Sequence, residues 1–255
     1  MVIVEGRPLR GWHGRVQRAR ARLGHSHLTD TQALRLPGGV RRTLADHWRL
    51  QGELLHSSYV AYLDLARRLG TLDAPAELVT RAQHAAQQAG ANGTRCFELA
   101  GRYLGRSMEQ GRLRRPVRLP RTRNAELKAV AVGTLLDGVL LEAYAARMAA
   151  ARADRATDPR AVDALKAIAA DELSRSALSR DILDWCLSVG GGGVRHAVHE
   201  AALDLPTHGP FVLVPRHSDR AALADHGQFD ADPRHEQFAE LTKMVRQVYL
   251  ARTAR

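Results

Sequence analysis

Two long stretches of helical periodicity, joined by a turn at Asp158-Pro159, fill the chain from Asn124 to Gly190. Val130, Leu135, Val139, Glu142 and Ala146 fall near one stripe of the first stretch, and Leu165, Ile168, Glu172, Arg175 and Leu183 mark the second. Pro159 suits a first helical position with Asp158 as its cap, and the glycines at 190–193 suit a stop. A similar pair precedes it. Leu44, Trp48, Leu55, Tyr59, Tyr62 and Leu65 line one face of a helix from Val40 to Gly70, where Gly70 reads as the C-cap. Asp73 as a cap and Pro75 in the first turn open the next helix, which runs to Gly101 or Gly105. Gly90 and Gly93 inside it each cost about 1 kcal/mol against Ala, so packing must tolerate them or the helix is distorted there.

Residues 106–123, rich in Arg and Pro, are long enough to cross the length of a bundle. The expected fold is all-α: a four-helix bundle over residues 39–190 with one long crossover between its halves. Residues 1–38 read as an irregular arm with a short strand at Val2–Val4 and an Arg-rich part from Arg15 to Arg22. Residues 191–255 read as a C-terminal helical extension packed on the bundle. Its helices are expected at Val194–Ala202, Ser218–Gly227 and Arg234–Ala251, the last with Phe238, Leu241, Val245 and Val248 on one side.

Composition narrows the setting. Aromatics are scarce, at 5%, and alanine is abundant, which favours helices over strands. The formal charge is +11, but only three of the 38 basic residues are Lys, and Arg lies along nearly every expected helix. A solvated face accounts for such a distribution, and nucleic-acid binding is not expected. Cys96 and Cys186 sit in apolar-periodic runs and read as buried free thiols. No apolar run approaches the length of a membrane span, and the first residues lack the apolar region of a signal peptide. The expectation is a soluble cytoplasmic protein that associates as a homodimer through flat, Ala-rich helix faces.

The two pairs look like copies. Laying one pair on the other puts Leu55 opposite Glu142, Ala89 opposite Glu172 and Asn92 opposite Arg175, with Cys96-Phe97 and Trp185-Cys186 near the two ends. The internal gaps are 89 − 55 = 34 and 172 − 142 = 30 residues. On the runs Leu55-His56-Ser57-Ser58, Ala89-Gly90-Ala91-Asn92, Gly138-Val139-Leu140-Leu141-Glu142 and Ala170-Asp171-Glu172-Leu173-Ser174-Arg175, the chain resembles the ferritin-like superfamily of carboxylate-bridged dimetal proteins. More narrowly, it is similar to bacterial ferritin-like domain proteins. That resemblance implies a dimetal site with oxidase, oxygenase or ferroxidase activity. It also implies ligands at Leu55, Ala89, Asn92, Glu142, Glu172 and Arg175, and here only Glu142 and Glu172 keep a carboxylate.

Leu and Ala offer no ligand atom, and Arg brings a fixed positive charge without a lone pair. The two carboxylates supply a charge of −2 and Arg175 cancels half of it, so neither a dinuclear centre nor any other cofactor is expected. Glu142, Glu172 and Arg175 are instead expected to converge as a buried ion triad, with Asn92 and Tyr59 as hydrogen-bond partners. Ala89, Gly90 and Gly93 remove volume where a cavity could open, Asp137 could reach its end, and His56 and His84 read as peripheral. The first functional reading is a non-metal accessory, assembly or regulatory protein that meets a protein partner. Its alternative is a metal-independent enzyme using the vestigial pocket of Glu142, Glu172 and Arg175 for acid/base chemistry on a small organic molecule. A dimetal oxidase is the third, against which the substitutions argue. An open cavity at the three residues would favour the enzyme; a packed one would favour the accessory protein.

Overall fold

The computed structural model describes residues 31–108, 111, 122–209, 219–228 and 233–254. The chain is all-helical, with no strand among these residues. The strand expected at Val2–Val4, the Arg-rich part of the arm and most of the crossover lie outside them. A short helix α1 (Thr31–Leu34) precedes the long α2 (Gly38–Thr71) and α3 (Ala76–Leu104). Then come α4 (Arg123–Arg155) and α5 (Pro159–Val189). The tail holds α6 (Gly191–Leu203), α7 (Arg220–Asp225) and α8 (Pro233–Thr253). α2 packs along α3, α4 along α5, and α3 against α5. α6 and α8 pack on each other and on α4, while α7 touches α2 and the end of α4.

Local signals explain most boundaries. Asp158 caps α5 by accepting from the Ala161 N–H at 3.0 Å, with Pro159 in the first turn. The same carboxylate takes two hydrogen bonds from Arg102 on α3, each 2.8 Å, so one buried group ties the start of α5 to the end of α3. Burial alone would raise its pKa; the hydrogen bonds from Arg102 and Ala161 outweigh that and hold it below the ordinary carboxylate range. Thr122 caps α4 in the same way.

The turn between α2 and α3 corrects the expected caps. α2 runs past Gly70 to Thr71. Asp73 does not cap α3; it adopts a left-handed φ of 57°. The neighbouring backbone N–H groups of Leu72 and Ala74 return to the Arg68 and Leu69 carbonyls. Pro75 stands at the N-cap of α3, with no side-chain cap.

Two further expectations are corrected. α8 buries Phe238, Leu241, Val245 and Tyr249, whereas Val248 is 46% exposed. At 100° per residue Tyr249 returns to the stripe of Phe238 and Val248 does not. In addition, α4 is apolar and long enough over part of its length to span a membrane, although 56% of that window is buried inside the protein. It is covered by α5, α6 and α8, as a core helix is.

The middle of α4, Thr134–Glu142, is a π-helix. Its wider turn changes which residues face α5, and such segments concentrate at functional sites. Gly138 in this segment lies directly against Ser179 of α5; a Cβ there would overlap the serine side chain. One turn later on α4 stands Glu142, and one turn earlier on α5 stands Arg175. α2 and α3 approach as closely: a Cβ on Gly52 would meet the Phe97 ring at 3.0 Å, and one on Gly93 the His56 ring at 2.6 Å. α3 is therefore regular through its glycines, which are used for packing.

Gly138→Ala is expected to destabilise the protein by about 1–3 kcal/mol through overpacking. Ser179→Gly in the same chain should return part of the loss. Urea unfolding of the two single variants and the double variant checks the coupling.

Candidate functional site

The core divides into two clusters along the bundle, one containing Trp48, Leu55, Leu165 and Ile168, the other Tyr62, Val139, Leu178 and Ile182. Glu142, Glu172 and Arg175 lie at the level between them, and the structure brings all three together. The Arg175 Nε donates to Glu142 Oε2 at 2.7 Å, and its Nη2 lies 2.6 Å from Glu172 Oε1. The second contact is close but poorly aligned for a hydrogen bond, and neither terminal nitrogen of Arg175 has a hydrogen-bond partner. Arg175 is 1% exposed. Burial alone would lower its pKa; the charges of Glu172 and Glu142 overcome that, so the guanidinium stays ionised.

Glu172 behaves differently. Burial first, then the hydrogen bond shared with Glu142 and that group's charge, raise its carboxyl well above the ordinary range, against the pull of Arg175. It keeps its proton over a pH range in which an exposed glutamate is ionised. Over that range Glu172 contributes less negative charge to the triad than an ordinary carboxylate would.

The remaining partners differ from those expected. Asn92 does not join the triad; it donates to Asp171 Oδ2 at 2.8 Å and accepts from Arg95 at 2.9 Å. Gln88 donates to the same aspartate at 2.7 Å, so Asp171 locks α5 to α3. Tyr59 packs against Gly90. The tyrosine at the triad is Tyr62, one turn along α2, which pairs with Ser179 and lies under the Arg175 guanidinium at 6.0 Å. Nor do Ala89, Gly90 and Gly93 open a cavity: the His56 ring fills the space at Gly93 and Tyr59 that at Gly90. His56 is buried, 5.1 Å from the Phe97 ring, and burial holds its pKa below the ordinary value. His84 is exposed, and both cysteines are buried and free.

A cavity of about 570 Å³ opens elsewhere, between α2 and α4. These helices approach closely only near the first turns of α4. Leu54, Leu55, Leu65, Leu141 and Met148 give it apolar walls, and Glu142, Glu172, Tyr62 and Ser179 form its inner side. Asp137 lies on its rim, exposed to solvent, yet partial burial and the nearby Glu142 raise its pKa. Leu50 and Leu54 stand at the mouth, 41% and 55% exposed. The π segment and this cleft escaped the sequence reading. By spacing alone Tyr62 belongs to the core stripe of α2, and the one signal of the cleft is Leu54, an apolar residue off that stripe.

A dimetal centre of the kind the resemblance implies does not fit these residues. The guanidinium lies against one oxygen of Glu142 and one of Glu172 where cations would sit, and the matching positions on the other pair are the buried carbon side chains of Leu55 and Ala89. Among the described residues, no three His, Cys, Asp or Glu side chains converge as ligands. Comparison of the chain with protein-family models, curated proteins and solved structures gives no match, so the reading of the site rests on its geometry.

Arg175→Ala should destabilise the fold by about 3–5 kcal/mol, because it strands a buried carboxylate and leaves its neighbours unpaired. Glu172 has the opposite signature. In the unfolded chain it releases its proton near pH 4.3, about the value of a free glutamate. Between that pH and its raised folded value the unfolded state binds fewer protons than the native state, so stability falls as pH rises. Urea unfolding of wild type and Glu172→Gln at several pH values above about 4.3 should show the negative slope in the wild type and its loss in the variant.

Proposed function

We propose that this chain is a metal-independent small-molecule protein, and that the cleft between α2 and α4 is its binding site. Glu142 and Glu172 act there as an acid/base pair. The open, apolar cleft lined by two neighbouring carboxyl groups, one of them oriented by the Arg175 guanidinium, carries this reading. Pockets of this size, apolar with a few convergent polar groups, are where ligands bind. Neighbouring carboxyls whose environments push their proton affinities apart are suited to divide the roles of acid and base. Glu172 holds a proton beside the cleft and Glu142 offers a carboxylate oriented by Arg175.

We further propose that the four long helices are a ferritin-like bundle in which Arg175 has taken the place of metal. The pairing of α2 with α3 and α4 with α5, and the meeting of Glu142 with Glu172, support it. Two buried free thiols fit a reducing, cytoplasmic setting. A second reading, an accessory or assembly protein that works as a homodimer or with a protein partner, is favoured by the apolar mouth residues Leu50 and Leu54.

The ring-opening of a nitrobenzisoxazole tests the acid/base reading. A base removes a carbon-bound proton, the N–O bond breaks and a phenolate forms, which a protonated carboxyl can stabilise. The wild type should accelerate this reaction more than about tenfold over free acetate at equal carboxylate concentration, within the range of positioned acid–base catalysis. Glu142→Gln and the cleft-filling Ala145→Trp should both abolish the excess. A rate equal to that of acetate, or unchanged in both variants, removes the enzyme reading and leaves the accessory one.

A further inference from the structure

We propose that the cleft takes a single-chain amphipathic carboxylate, with its hydrocarbon chain along α2 and α4 and its head group on Arg68. This rests on the small-molecule reading of the same cleft and names the class of molecule. The lining residues on α2 run from His47 to Arg68. They cover 68 − 47 = 21 positions, about 32 Å at the rise of an α-helix. With about 570 Å³ drawn out over that length, the space suits an extended chain better than a compact ring system. Leu54, Leu65, Leu141 and Met148 face such a chain with hydrocarbon.

The two ends of the cleft differ in their cations. Arg152 is engaged at its end: it donates to the Gly227 carbonyl and to Gln51, and lies 5.5 Å over the Trp48 ring. Arg68, at the other end, is 8% exposed. Its Nε donates to the carboxylate of Glu126, and its Nη2 is buried without a hydrogen-bond partner. A buried guanidinium N–H left unmade is destabilising, and a carboxylate is the acceptor that best satisfies the guanidinium fork. The lining midway along the cleft carries the carboxyl side chains of Asp137, Glu142 and Glu172 and no Lys or Arg among the described residues, which leaves the Arg68 end for the head group. The Glu142–Glu172 pair then faces the chain and not the head, so a group acted on by that pair sits partway down the chain.

Titration calorimetry with dodecanoate and with dodecanol, on wild type and on Arg68→Met, tests this. The acid should bind the wild type about tenfold or more tightly than the alcohol, the scale of one charge-assisted hydrogen bond. Arg68→Met should reduce the two affinities to near equality, mainly by weakening the acid. Equal affinities in the wild type overturn the assignment of a carboxylate head at Arg68 while leaving the cleft as an apolar site. A preference for the acid that persists in a folded Arg68→Met protein also overturns it. If neither compound binds, the inference fails; whether the small-molecule reading fails with it is decided separately by the nitrobenzisoxazole reaction.

Discussion

A guanidinium buried in the middle of a helical protein sets the terms for everything around it. Taking the charge of Arg175 out of water costs several kcal/mol, and the structure is stable only if an anion accompanies it. Glu142 supplies the anion from the neighbouring helix. A second ionised carboxylate would leave the group negative in a poorly solvated space, so Glu172 keeps its proton. The three side chains thus form one buried unit in which the guanidinium offsets the carboxyl groups. Its geometry depends on how closely α4 meets α5. Gly138 against Ser179 allows that approach one turn before Glu142 meets Arg175, and the π segment that contains Gly138 ends on Glu142.

The cleft follows from the same distribution of small residues. Gly52 and Gly93 draw α2 onto α3, where the His56 and Phe97 rings fill the remaining space. α2 is thereby committed to α3 over most of its length and meets α4 closely only near the start of α4. The volume that a symmetric arrangement would spread among four helices collects on one side. The polar groups of the triad reach that side because Glu142 on α4 and Glu172 on α5 both line it. An apolar molecule entering the cleft meets carboxyl groups already engaged with the guanidinium behind them, which lowers the penalty for displacing water from that wall.

Much of this arrangement was legible in the sequence. The stripes Leu44–Trp48–Leu55 and Leu165–Ile168–Leu183 are buried as their spacing requires, and Asp158-Pro159 starts a helix as local chemistry dictates. Glu142, Glu172 and Arg175 meet because they sit on the buried stripes of adjacent helices. Three other features were not legible, each for a physical reason. A π segment is invisible to a reading that assumes 3.6 residues per turn. The partner of Asn92 is a residue beside Glu172, and a difference of one position on a helix turns a side chain by 100°. The glycines of α3 read as missing volume, yet a missing side chain can be filled by a neighbour's ring as readily as left empty.

The triad and a metal site are alternatives, not layers of one design. Both need a cation between Glu142 and Glu172, and the Arg175 guanidinium already stands there. A divalent ion would have to displace a guanidinium that has nowhere else to place its charge, and would have to take the proton from Glu172 as well. The same competition makes Glu172 useful in another way. An acid that is held neutral by burial and by a charged neighbour can give a proton to a bound molecule only if that molecule becomes more basic than the site. A neutral, apolar occupant shields the triad further from water and strengthens the hold of Glu172 on its proton. An occupant that develops negative charge beside it does the reverse. The protonation of this one carboxyl therefore depends on what lies in the cleft in front of it and on the buried cation behind it.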